Sequence, residues 1–201
     1  MGPEARSRIY WFLGQLYLER PDDRLLETLR GLPREAPWGP LREAVRGESA
    51  ESLAVEFTRL FRGIREGYGP PPPYESLYRE GRIMGQSTLD VMERYRQAGF
   101  GIIEPSAGPQ DHLGVELRFM AMLCLEEMEA AGRDEGDEVQ RRLAQQRDFL
   151  ISHLGAWLPH YRQVLVQACK KAFYREAVCL TEAFVASEVM RLESLEEKEA
   201  I

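Results

Sequence analysis

The sequence predicts an all-α fold, a single-domain helical bundle covering residues 1–201. Three observations predict it. Apolar residues recur at spacings of three and four along most of the chain, the repeat of one helix face. No stretch alternates apolar and polar positions with β-branched enrichment, as a half-buried strand would. Proline and glycine cluster at intervals that cut the chain into helix-length pieces. At 201 residues the chain suits one domain with one sizeable core.

The first helix is expected from Glu4 to Glu19, ended by Pro21. Arg6 and Arg8 ahead of an apolar run loosely imitate a secretory leader. Ile9, Phe12, Leu13 and Leu16 nevertheless keep helical spacing, and no small-residue cleavage site follows. A short helix over Asp22–Arg30 is closed by Gly31 and Pro33. Pro33–Pro40, with Trp38, is a loop. From about Ser49, Leu53, Phe57, Leu60, Phe61 and Ile64 form one apolar stripe.

The segment Gly63–Gly85 resists regular structure. Gly67, Gly69 and the four prolines Pro70–Pro73 remove donors and restrict their neighbours, so an extended polyproline-type support is expected. It carries Tyr74, Glu75, Ser76, Leu77 and Tyr78. The next helix starts near Ser87, with Leu89, Met92 and Tyr95 on one side, and stops at Gly99 and Gly101.

The stretch Glu104–Glu126 reads as the centre of the bundle. Pro105, Gly108 and Pro109 make a loop, and Asp111 stands where a helix N-cap belongs. Behind it Leu113, Leu117, Met120, Ala121, Cys124 and Met128 form a broad apolar face, to about Ala131. Past Gly132–Gly136 a long helix reaches about Leu154, rich in exposed Arg and Gln, with Val139, Leu143 and Leu150 facing inward. Gly155 and Pro159 are expected to break the chain around Trp157. Helices over His160–Lys171 and Phe173–Leu195 complete it, and the acidic tail 193–201 is expected to fray.

Composition narrows the function. A hydrophobic content of 44% and a charged content of 29% are globular values. The balance 26 − 33 = −7 argues against a nucleic-acid partner and favours a basic one. Cys124, Cys169 and Cys179 form no Cys-x-x-Cys pair and read as buried free thiols of a reducing compartment. The longest uncharged run, Phe149–Tyr161, has 13 residues, too few to span a bilayer. No integral membrane segment and a cytoplasmic location are expected.

The chemical motifs are few. No phosphate-cradling Gly-rich loop is present, the glycines of Gly63–Gly69 read as a turn, and no cofactor is expected. His153 and His160, seven apart, would share a face of an unbroken helix, and His112 and Glu116 are four apart, but there is no His-Glu-x-x-His. A metal-dependent hydrolase using His112, His153 and His160 is the enzymatic alternative. Asp111 can serve as a cap, as a ligand-binding carboxylate, or as both. Pro70–Tyr78 reads equally as a rigid loop or a docking segment.

Several runs together resemble a known family. Phe57, Leu60, Phe61 and Gly63, followed by Pro-Pro-Tyr-Glu-Ser-Leu-Tyr over Pro72–Tyr78, resemble the first motif region of the TorD/DmsD/NarJ redox-enzyme maturation chaperones. Pro109-Gln110-Asp111-His112, with Glu116-Leu117 and Phe119-Met120, is similar to that family's Pro-x-Asp-His motif. Phe149-Leu150, His153-Leu154 and Trp157-Leu158-Pro159 resemble its later His…Trp segment, and Phe173-Tyr174 its C-terminal region. Many relatives carry a Glu where this chain has Ala107; the nearest acid is Glu104.

The resemblance implies a TorD-like all-helical fold, no enzymatic activity and no bound cofactor. It implies a cytoplasmic chaperone that holds the twin-arginine leader, or the apo form, of a molybdoenzyme catalytic subunit until the molybdenum cofactor is inserted. By the same resemblance the peptide site comprises Tyr74, Glu75, Tyr78, Asp111, His112 and Glu116. An assembly factor that grips a non-leader segment of its client is the other alternative. The hinge loop Gly99–Gln110 would permit helix exchange and hence a homodimer.

Overall fold

The computed structural model describes residues 1–62 and 69–199, with side chains through Leu195. Ile64 and all but the last residue of the turn expected over Gly63–Gly69 lie outside the described residues. Ten α-helices follow one another, and no strand occurs among the described residues. They are α1 (Pro3–Leu18), α2 (Asp23–Gly31), α3 (Gly39–Ala44), α4 (Ala50–Phe61), α5 (Glu75–Glu80), α6 (Gln86–Gln97), α7 (Leu113–Gly132), α8 (Gly136–Phe149), α9 (Gly155–Ala168) and α10 (Ala172–Glu199). A π-helical turn, Leu150–Leu154, joins α8 to α9.

α7 is the axis. Every residue from Asp111 to Ala121 is buried, because helices pack against it from several sides. Its largest partner is α1. The two backbones touch at paired glycines: a Cβ on Gly14 would lie 2.9 Å from the Gly114 carbonyl, and one on Gly114 2.8 Å from the Gly14 carbonyl. Tyr10, Leu13 and Tyr17 of α1 share one buried apolar cluster with Leu117, Phe119, Met120 and Leu123 of α7 and with Phe57 and Phe61 of α4.

α1 also carries a charge into the core. Arg6, one of the two leader-like arginines, is almost wholly buried. Its Nη2 donates to both Glu127 oxygens at 2.6 and 2.7 Å, while Nη1 reaches Gln146 Oε1 at 2.7 Å and Glu188 at 3.4 Å. A fork-shaped donor is suited to a buried carboxylate, since it satisfies both oxygens at once.

Several expectations need correction. Tyr74–Tyr78 is not extended throughout: α5 begins at Glu75, immediately after the prolines. On α6 the inward face is Thr88, Val91 and Tyr95, whereas Leu89 and Met92 are exposed. On α8 Arg142 and Gln146 are buried. Arg142 Nη1 donates to the Ala98 carbonyl at 2.8 Å, so its burial is compensated by a backbone acceptor.

The chain also does not break around Trp157. Pro159 sits inside α9, and the irregularity falls upstream, in the π turn, where the Gly155 N–H bonds back to the Leu150 carbonyl. A Cβ on Gly155 would stand 2.7 Å from that carbonyl, so the turn requires glycine there.

Candidate functional site

The proline-rich segment and the Asp-His corner are docked backbone to backbone. Leu113 N donates to the Pro73 carbonyl at 2.8 Å and Glu75 N to the Asp111 carbonyl at 2.9 Å, making an isolated antiparallel bridge between Tyr74 and His112. The Tyr74 ring meets the His112 ring edge-on at 5.2 Å, and its hydroxyl donates to the Ala107 carbonyl at 2.9 Å. All six residues that the resemblance selects therefore lie in one neighbourhood.

The cap of α7 is not Asp111. His112 occupies that position, and its Nδ1 accepts from Gly114 N at 3.1 Å. Asp111 reaches across the bridge, where Oδ2 accepts from Ser76 N at 2.9 Å. It satisfies a free N–H at the start of α5, a helix too short to be stable alone. The bridge turns the Asp111 side chain away from its own helix, and the imidazole one residue later replaces it.

Glu75, Asp111 and Glu116 are fully buried. His153 Nδ1 lies 2.9 Å from Glu75 Oε2 and 3.2 Å from Oε1. Arg79, one turn along α5, places Nη1 2.5 Å from Glu75 Oε1 and 2.9 Å from the carbonyl of Ser152 in the π turn. Trp157 Nε1 donates to Glu116 Oε2 at 3.1 Å. Among the described residues, Asp111 Oδ1 and Glu116 Oε1 have no hydrogen-bond partner.

Electrostatics follow from that crowding. Burial, then the nearby Glu75 and Asp111, push the Glu116 carboxyl well above the usual carboxylate range. Glu116 therefore keeps its proton at pH values where an exposed glutamate has lost it. Burial, reinforced by Arg62, pulls His112 down to about 3. His112 is thus neutral, which leaves Nδ1 free to accept its capping hydrogen bond.

Tyr78 stands at the other end of α5. Its hydroxyl donates to the Pro71 carbonyl at 2.6 Å, and its ring lies against Trp157, His160 and Tyr161 at 5.1–5.7 Å. His160 is exposed while His153 is buried. Among the described residues no group of three His, Cys, Asp or Glu side chains is arranged to hold a metal ion. The hydrolase alternative, which joins His112, His153 and His160 in one ligand set, therefore has no geometric support.

Sequence reasoning missed Arg79 and Gln110. The Gln110 amide secures the loop, accepting from Ile103 N at 2.9 Å and donating to the Gly108 carbonyl at 3.0 Å. Glu104 pairs with Arg118 and so faces away from the cluster. The Glu75–Arg79 spacing of four was the signal for the first of these. Nothing in the sequence marked the second.

The chain is similar to proteins of one family. The model of the family described as nitrate reductase delta subunit matches residues 31–163. Chaperone protein TorD of Aeromonas salmonicida is 29% identical over 207 residues, covering 90% of this chain and 88% of the relative. The chlorate reductase assembly chaperone protein of Ideonella dechloratans is 36% identical over 115 residues, covering 57% and 58%. A crystal structure described as a redox enzyme maturation protein from Archaeoglobus fulgidus matches with a TM-score of 0.54 at 24% identity, covering 94% of this chain and 93% of that one; it supports the fold. No helix among the described residues is long and apolar enough to cross a membrane. The family model spans well over half of the chain, and the chain belongs to the nitrate reductase delta subunit family of redox-enzyme maturation chaperones.

Proposed function

We propose that this protein is a cytoplasmic chaperone for the apo form of a molybdoenzyme catalytic subunit. It holds the twin-arginine leader of that client and delays export or membrane assembly until the molybdenum cofactor is in place. The observation that carries this reading is the docked pair Tyr74 and His112, which seats three buried carboxyl groups beneath an aromatic rim. One relative named a chaperone protein and another named a chlorate reductase assembly chaperone protein support the client class.

The chemistry suits an arginine-bearing peptide. A guanidinium paired with a shielded carboxylate makes charge-assisted bonds of roughly 1.5–3 kcal/mol each. Tyr74 and Tyr78 offer faces for stacking on guanidinium or for covering the leader's apolar run. Release of the client requires modest affinity, a Kd of roughly micromolar.

One observation favours the second reading, a grip on a non-leader segment. Leu89 (60% exposed), Met92 and Ile102 (65% exposed) form an apolar patch beside the half-buried Phe100. Co-purification of the tagged protein with its client, intact or with the leader deleted, separates the two. Loss of the complex on leader deletion supports the first reading; undiminished capture supports the second.

A further inference from the structure

The buried carboxylate of Glu75 is already holding a guanidinium, and that guanidinium belongs to the chain itself. Arg79 is 43% exposed at its side chain, whereas Glu75 is 0% exposed. An i,i+4 pair on a helix surface ordinarily has both partners in water. Here the acid is interior and the base comes to it from the solvent side. The second contact of Arg79 is not on its own helix: Nη1 also donates to the Ser152 carbonyl at 2.9 Å, within the π turn. Single π turns inside helical runs occur frequently at functional sites. One donor therefore bridges a buried carboxylate and a carbonyl from two separate elements, and His153 closes the opposite side of the same carboxylate.

We infer that Glu75 Oε1 and the Ser152 carbonyl constitute a guanidinium subsite, which Arg79 occupies in the free protein and which an arginine of a bound peptide takes by displacing it. This rests on the leader reading for the identity of the peptide, but not for the subsite. Without Arg79 or a replacement cation, Glu75 is left with its contact to His153, and breaking a buried ion pair in this way is strongly unfavourable. An incoming arginine must therefore exchange with Arg79 and not merely add to it. The exchange conserves charge and hydrogen bonds at Glu75, so it is close to balanced and readily reversed. Behind Glu75, Asp111 Oδ1 is a buried acceptor with no donor among the described residues. A carboxylate there makes the local field more negative and favours a cation at the mouth over none.

Two measurements test this. The first is melting of Arg79→Ala with and without ethylguanidinium, at a concentration that leaves wild-type melting unchanged. The variant is expected to melt lower and to be restored by ethylguanidinium but not by ethylammonium, and adding Glu75→Gln should abolish the restoration. The second is calorimetry with a twin-arginine leader peptide. Arg79→Ala is expected to bind it about tenfold more tightly than wild type, with no gain for a leader whose arginines are alanine. Absence of guanidinium rescue, or weaker leader binding by Arg79→Ala, overturns the subsite. Rescue without leader binding by either protein leaves the subsite standing and removes the leader reading. Arg79→Ser, which likewise vacates the subsite, carries the same test if Arg79→Ala does not fold.

Discussion

Asp111 caps a helix that is not its own: its Oδ2 accepts from Ser76 N at 2.9 Å, across the bridge that pairs Tyr74 with His112. The contact ties together residues 35 apart and makes the start of α5 depend on the loop before α7. Asp111→Asn keeps an acceptor for Ser76 and should cost little. Asp111→Ala should cost about 1–2 kcal/mol, the usual value of a lost cap. Urea denaturation of the two variants checks this, and equal stability would separate Asp111 from α5.

His112 sets an acid limit. Its folded-state value of about 3 lies below its ordinary 6.5, so between those values the unfolded chain binds more protons and stability falls with pH. The loss from this group should be about 2 kcal/mol by pH 5. His112→Asn retains a capping acceptor without the titration and should flatten the pH 5–6.5 part of the stability profile.

Glu116 acts in the opposite direction. Its carboxyl is held well above its ordinary 4.5, so the native state keeps the proton that the unfolded chain gives up. Its contribution falls as pH rises from 4.5 through that raised value. Glu116→Gln still accepts from Trp157 and should gain on the order of 1 kcal/mol at pH 7. Thermal melts should show the gain shrinking towards pH 4.

Arg6 gives a structural control. Arg6→Met leaves Glu127 buried without its cation, while Glu188 keeps Arg191, and should cost about 3–5 kcal/mol. Leader affinity of the folded fraction should be unchanged, since Arg6 lies in the α1, α7, α8 and α10 network and not at the Tyr74–His112 bridge.

The helices were legible because their signals are local. Leu53, Phe57, Leu60 and Phe61 show the buried face of α4 without any knowledge of its partners, and all four are buried. What was not legible depends on distant partners. α5 has six residues, follows four prolines and takes its cap from Asp111, so no local pattern announces it. On α6 two candidate stripes existed, and the one with the larger apolar residues, Leu89 and Met92, is the exposed one. In the sequence Arg6 reads only as part of a leader-like start, because its partners Glu127 and Glu188 lie more than a hundred residues away. Pro159 was read as a break because the π turn that precedes it leaves no mark in composition. The six candidate site residues come from motif resemblance, and the burial of Glu75, Asp111 and Glu116 has no local signal.

The central claim is that this protein recognises arginine in its client. Isothermal titration of wild-type protein with the intact leader peptide, and with the same peptide carrying alanine at both arginines, tests it most directly. A Kd near micromolar, about −8 kcal/mol, is expected for the first peptide and a loss of at least about tenfold for the second. Indistinguishable isotherms for the two peptides would contradict it.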